Sequence, residues 1–313
     1  MISRAFGKVI LLGEHAVVYG VPALAVGIDR GAVARAQLAE TGLSTITLQR
    51  MRAVSADDDT TDLALAFRHV LKACDVTSPL HVEVETDLPA AAGLGCSAAL
   101  GVAVVRAVED ALGRSPTTEQ VVERAMAWER VFHGNPSGVD AVVAVAGGHV
   151  LYARGDAPEV LVAPCSLHLA IGHTGIASPT KGMVDGVARL RQRRPDAVEK
   201  TFAAIHALVR NARLALEAGD TKALGELLDM NQMLLAGLFV STTEIERLCH
   251  LARGAGALGA KLTGAGGGGC VLALCEGACD EVLAAWKQDG FEGFATTVHP
   301  TERAVRWVAP VCL

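Results

Sequence analysis

Apolar residues fall in short runs over the first fifty positions. Residues 8–12 predict a short buried strand, and 21–28, 32–39 and 44–50, rich in valine and alternating in parts, predict three more. Asp57-Asp58-Asp59-Thr60-Thr61 reads as a charged loop that also supplies a helix N-cap. Apolar groups at helical spacing follow over 62–73. His81 to Glu85 alternates as a strand and is closed by Asp87-Leu88-Pro89. A Gly-rich turn at 93–95 leads into a long apolar helix from about Ser97 to Leu112, and a second helix covers about Thr118 to Phe132. The next segment, HGNPSGVD, is a turn by composition.

Strands recur near 149–153 and 167–172. From 180 to about 255 the pattern is mostly helical, in four segments broken at Pro195, at Gly219-Asp220 and at the Ser241-Thr242-Thr243 cap. The end returns to strands and one helix, over 270–275, 280–288, 294–298 and 304–308. Helices and strands mix without a regular βαβα alternation, which predicts an α+β architecture rather than a doubly wound parallel sheet. At roughly 100–200 residues per domain the length suggests two domains. The helical block places the division near residue 165, giving expected domains 1–164 and 165–313.

Composition narrows the function classes. The chain is 51% hydrophobic but only 4% aromatic, so its core must be built mainly of Ala, Val and Leu. A net charge of −6 argues against a general nucleic-acid binder, which needs a basic field to neutralise phosphates. The one basic cluster, Arg189 to Arg194, reads as a solvated helix end. None of the eight cysteines sits in a C-x-x-C pair, and Cys270, Cys275 and Cys279 are wrongly spaced for a zinc knuckle. Reduced thiols in a cytoplasmic protein are the expectation. The N-terminal apolar run is too short for an export signal, and Ala141 to Ala153 falls short of the ~20 residues a membrane span needs.

Four segments carry chemistry. In Ala90 to Ala99, Gly93 and Gly95 lie between a strand and a helix, where free N–H groups and the helix dipole make an anion site. The loop is neither a Walker A nor a Rossmann fingerprint, and by itself fits equally a helix start packed on a sheet. In Lys261 to Cys270, five of the six residues from Gly264 to Gly269 are glycine and a buried strand follows. Close backbone approach to a ligand or another loop explains that better than a hinge. In GKVILLGEHAVVYG, Lys8 lies beside a buried strand and Glu14-His15 adds an acid and an imidazole, though a surface Lys and a core His would account for them. In Glu129 to Asp140, two carboxylates flank an Asn-Pro-Ser-Gly turn, so one can hold Mg²⁺ and the other act as a base, or they can be a helix-end Glu and a capping Asp.

Together these segments closely resemble the superfamily of galactokinase, homoserine kinase, mevalonate kinase and phosphomevalonate kinase. All three of its motifs are present in order, and the resemblance spans Gly7 to Leu274. Within it, GEHAVVYG, ERVFHGNPSGVD, KLTGAGGGGC and the phrase Leu228 to Gln232 are similar to the mevalonate kinase family. The resemblance implies a two-domain fold: an N-terminal domain like ribosomal protein S5 domain 2 and a ferredoxin-like C-terminal domain with added helices, with the site in the cleft between them. It implies ATP and mevalonate as substrates and Mg²⁺ as cofactor. No nucleic-acid or membrane partner is expected, and a homodimer stays open.

Residue by residue, the resemblance makes Asp140 the base that takes the acceptor's hydroxyl proton and Lys8 its partner. Ser97 and Glu129 match the Mg²⁺ ligands. Pro89, Ala92, Gly93, Leu94, Gly95, Cys96, Ser97 and Ala98 match the cradle for ATP phosphates, with Gly264, Ala265, Gly266 and Gly267 closing over it. Glu14, His15 and Thr263, with Lys8 and Asp140, match positions facing the acceptor. Two positions depart from the pattern: Cys96 replaces a common second Ser, and His173 stands where short prokaryotic members often carry an acid. A sister kinase acting on phosphomevalonate or a sugar, and a nucleotide-binding sensor without turnover, are the alternatives. The sequence near His15 and Asp140 lacks the basic cluster that a phosphorylated acceptor would demand.

Overall fold

The apolar run after Lys8 belongs to a strand, and in the computed structural model of the chain that strand is longer, β1 covering Ser3–Leu12. The structure describes residues 2–49, 51–89, 92–134, 136, 138–302 and 305–306. Cys312, parts of the HGNPSGVD turn (Asn135 and Ser137) and most of the strand expected at 304–308 lie outside them.

Two strands were expected where the structure has one, β2 (Ala23–Leu38). The expected break is a bulge: Phe6 pairs with Gly31 and Gly7 with Ile28, so Asp29 and Arg30 stand out of register. A Cβ at Gly31 would lie 1.9 Å from the Ala5 carbonyl oxygen, so the strands close up there only around glycine. Then come β3 (Thr45–Leu48), β4 (Val54–Ser55), α1 (Asp62–Ala73), β5 (Leu80–Thr86), α2 (Cys96–Ala111), α3 (Thr118–His133), α4 (Val139–Ala146), β6 (His149–Tyr152) and β7 (Glu159–Val160). Thr61 caps α1 by accepting from the Ala64 amide at 3.2 Å, and Thr117 with Gln120 forms a capping box on α3.

Helix α4 corrects the reading of residues 139–146 as the end of a turn and the start of an apolar run. Its valines favour a strand by propensity. Gly138, at φ 87°, turns the chain into a helix, and Val139 and Ala141 to Val145 are buried against α2, α3 and β1. Tertiary burial overrides propensity here.

The second half opens with β8 (Leu167–His173), just after the division expected at 164/165. The helical block follows as α5 (Thr180–Arg193), α6 (Pro195–Ala218), α7 (Thr221–Gly237) and α8 (Thr243–Gly254), broken where Pro195, Gly219-Asp220 and the Thr242 cap predict. Next are β9 (Gly259–Thr263), β10 (Cys270–Cys275), α9 (Asp280–Gln288), β11 (Glu292–Val298) and β12 (Val305–Arg306). Strand β9 was not anticipated, because a lysine interrupts a short run of small residues; all five of its residues are buried.

The architecture is α+β. Among the described residues the first sheet has the order β12-β7-β6-β2-β5-β3-β4, with β1 also on β2. The second is β11-β8-β10-β9, antiparallel throughout. The last strand, β12, returns to the first sheet by pairing with β7. Helix α2 is buried over most of its length among β1, β2, β5 and its neighbouring helices. The core is mainly Ala, Val and Leu, as the composition requires, with Trp128, Trp286 and Phe67 its largest apolar side chains. No described helix is long and apolar enough to cross a membrane.

His149 on β6 is fully buried, its Nδ1 lies 3.1 Å from Thr301 Oγ1, and burial lowers its pKa to about 4. An unfolded histidine titrates near 6.5. Between about pH 6.5 and 4 the unfolded chain binds a proton that folded His149 refuses. Stability should therefore fall over that window, by on the order of 3 kcal/mol in all, and level off below it. Urea midpoints of the wild type and His149→Asn from pH 7 to 4 check this. The variant's profile should be flatter, and equal slopes would contradict the assignment.

Candidate active site

β1 carries the first motif into the space between the two sheets. Lys8 is almost fully buried on this strand, and its backbone N–H donates to the Leu94 carbonyl at 2.9 Å, tying the loop before α2 to the strand. Gly95 is the N-cap of α2, at φ 72°, and a Cβ there would stand 2.9 Å from Lys8 Cγ. Glycine is required twice over, by a left-handed backbone and by the lysine stem. The helix thus starts directly beside Lys8, with its unpaired N–H groups and positive dipole end at that point.

The ammonium meets a carboxylate from a different element. Asp140 lies in the first turn of α4, and its Oδ1 is 2.9 Å from Lys8 Nζ. Lys8 is 5% exposed in this pair and Asp140 32%, so the lysine is fixed from behind and the carboxylate opens to solvent. The two groups stand far apart in sequence, and the fold brings them together as the motifs implied.

The second pairing is Ser97 with Glu129. Ser97, in the first turn of α2, donates its hydroxyl to Glu129 Oε1 at 2.5 Å, and Glu129 is buried on α3. Burial raises the Glu129 pKa to about 7, with the Asp140 charge pushing the same way and the Ser97 hydrogen bond and Lys8 opposing. A carboxylate held at that cost fits a cation beside it. Among the described residues no group of three or more His, Cys, Asp or Glu can hold a metal alone. One carboxylate and one hydroxyl suit Mg²⁺, which keeps waters and shares phosphate oxygens rather than sitting in an all-protein cage.

The third motif arrives from the second sheet. A Cβ on Gly93 would stand 3.6 Å from the Thr263 carbonyl oxygen and one on Gly264 3.5 Å from the Gly93 carbonyl oxygen, so the two glycine loops lie within a methyl group's reach of each other. Gly266 is buried at φ 74°, its Cβ position only 2.2 Å from the Val240 carbonyl oxygen. The loop is held by Ser178, whose hydroxyl donates to the Gly266 carbonyl at 2.7 Å, and by Thr174, whose hydroxyl donates to Gly269 at 3.0 Å. Ser178 carries no signal in the sequence that would have singled it out.

Placement of the remaining predicted residues is uneven. Pro89 is half-buried, Ala92, Leu94 and Ala98 are buried, and Cys96 lies 4.0 Å from the Thr86 hydroxyl. His15 Nε2 is 2.8 Å from the Ala265 carbonyl, and burial lowers its pKa. A carbonyl only accepts, so Nε2 carries the hydrogen and Nδ1 keeps its lone pair. Glu14 and Thr263, expected to face an acceptor, are buried in the seam between the sheets. Thr263 Oγ1 accepts from the Ile10 amide at 2.9 Å, and Glu14 pairs with Lys261. His173 does not stand in for an acid at the site: its Nδ1 accepts from the Gly175 amide at 3.0 Å and shapes the turn after β8. Arg191, expected as part of a solvated helix end, lies over the Tyr19 ring at 4.7 Å.

The chain is similar to known proteins along most of its length. The family model described as GHMP kinases N terminal domain matches residues 62–148, and that described as GHMP kinases C terminal matches 212–292. A mevalonate kinase from Pyrococcus abyssi is 34% identical, over 93% of this chain and 93% of that protein. One from Methanothermobacter thermautotrophicus is also 34% identical, over 91% of this chain and 95% of that protein. Among solved structures, that of L. major mevalonate kinase in complex with R-mevalonate superposes with a TM-score of 0.86 at 29% identity, covering 97% of each chain.

Gly266→Ala tests the backbone contact. Left-handed φ alone costs an alanine about 1–2 kcal/mol, and the collision with Val240 adds to it. Thermal unfolding should drop by several degrees, whereas Gly254→Ala, at an open position, should not be destabilised. Equal midpoints for the two variants would remove the contact.

Proposed function

The chain belongs to the mevalonate kinase family of the GHMP kinases, and on that premise we propose that it transfers the γ-phosphate of ATP to the C5 hydroxyl of (R)-mevalonate, giving 5-phosphomevalonate and ADP. One observation carries the proposal: the Lys8 ammonium and the Asp140 carboxylate are 2.9 Å apart beside the N-terminus of α2.

In this reading the triphosphate lies along residues 93–98, where backbone N–H groups and the helix dipole meet its oxygens. The Gly264–Gly267 loop covers it from the second sheet. Asp140 takes the proton of the attacking hydroxyl as the new O–P bond forms, and the bond from the γ-phosphorus to the bridging oxygen breaks, releasing ADP. Lys8 offsets the negative charge on the transferred group. Ser97 and Glu129 would hold Mg²⁺, which when bound neutralises phosphate charge. His15 offers its Nδ1 lone pair on the acceptor side. The described cysteines are free thiols, which supports a reducing compartment, and we place the activity in the cytoplasm.

A panel of alcohols assayed by coupled ADP release tests the reading. Mevalonate should be turned over far faster than phosphomevalonate or sugars. Preference for one of those would move the chain to a sister activity, and nucleotide binding without any turnover would make it a sensor. Asp140→Asn should lower kcat by about 10²–10⁴-fold with little change in ATP affinity. A near-normal kcat would remove Asp140 as the base.

A further inference from the structure

Behind the site lies a buried ion pair that the transfer chemistry does not use. Lys261 on β9 is 0% exposed and Glu14, just past β1, is 1% exposed. Lys261 Nζ donates to Glu14 Oε1, to the Leu262 carbonyl and, at 3.4 Å, to the Ile10 carbonyl, so its three N–H groups are all engaged. Glu14 Oε2 accepts from Asn231 Nδ2 of α7 at 3.2 Å, and Asn231 is fully buried too. Both carboxylate oxygens are therefore taken inside the seam between the sheets.

Such a pair is poor value as plain stabilisation, because desolvating two charges offsets most of their attraction. Its location is informative. Glu14 is followed by His15, which holds Ala265 of the glycine loop at 2.8 Å from a backbone at φ 60°, an uncommon conformation for a side-chain-bearing residue. On the other side, Ile10 is pinned to Thr263, and Lys8 is two residues further back on the same strand. The ends of the first and third motifs are thus joined at Ile10, Glu14 and His15, with Glu14 the one charged link.

We infer that Glu14, Lys261 and Asn231 form a positioning network that sets the register of Lys8 and His15 against the glycine loop, and that Glu14 acts through Lys261 without touching the acceptor. The inference concerns the same site and rests on its being a phosphotransferase. Lys261 and Asn231 acquire a role in turnover, and Glu14 moves from substrate contact to alignment.

The test uses Glu14→Gln, Lys261→Met and the double variant, assayed well below each thermal midpoint with whichever alcohol the wild type phosphorylates. Wild-type preference for mevalonate is scored separately, so failure of the substrate reading is told apart from failure of the network. Each single variant leaves one buried charge unpaired, and the double variant leaves none. The single variants should lose about tenfold or more in kcat with acceptor KM within about threefold, and the double variant should be less impaired than Lys261→Met. Should Lys261→Met fail to fold, a double variant no worse in kcat than Glu14→Gln supports the network equally. Two results overturn it: losses in kcat that simply multiply, or a Glu14→Gln enzyme with normal kcat and acceptor KM raised about tenfold, the mark of a direct contact.

Discussion

The pairing of Lys8 with Asp140 constrains the rest of the structure. An ammonium on β1, a strand paired to β2, and a carboxylate on a short helix must meet at 2.9 Å beside the start of α2. The pieces around them serve that meeting. Gly95 removes the side chain that would collide with the lysine stem, and the Leu94 carbonyl takes the Lys8 amide. Helix α4, all valine and alanine apart from Asp140, exists as a helix because burial and the Gly138 turn outweigh its strand propensity. Because Lys8 is buried and Asp140 is partly open, the pair presents its acidic side to solvent.

The second sheet reaches the site through a polar seam. Thr263 on Ile10 and Thr296 on Asp29 cross from one sheet to the other, and His15 on Ala265 and Lys261 on Glu14 tie the turn after β1 to the second half. An apolar seam of the same area would hold the halves together with less directional preference. Hydrogen bonds fix the register, and the two glycine loops then lie within a methyl group's reach of each other. Phosphoryl transfer depends on alignment and charge neutralisation more than on covalent help from the protein, so a seam that sets alignment is part of the catalytic apparatus.

Much of this was legible in the residues. The helical block with its breaks, the α+β class, the Lys8–Asp140 pair and the Ser97–Glu129 pair all followed from spacing or from the resemblance of the motifs. What escaped was set by tertiary contact. No local signal distinguishes a bulge at Asp29-Arg30 from a strand break, because the pairing partner in β1 decides it. Strand β9 is hidden by Lys261, a residue that belongs in a buried strand only because Glu14, in the turn after β1, faces it. Glu14 and Thr263 are expected near the acceptor from their motifs alone, and only the fold shows that their oxygens engage Ile10, Asn231 and Lys261.

The most direct test of the central claim is a crystal structure of the protein with a non-hydrolysable ATP analogue and (R)-mevalonate. The account predicts the acceptor's C5 hydroxyl oxygen within about 2.6–3.2 Å of an Asp140 carboxylate oxygen, with Lys8 Nζ reaching the γ-phosphate. A ternary complex in which the hydroxyl and Asp140 lie apart, or in which the triphosphate avoids the N-terminus of α2, would contradict it.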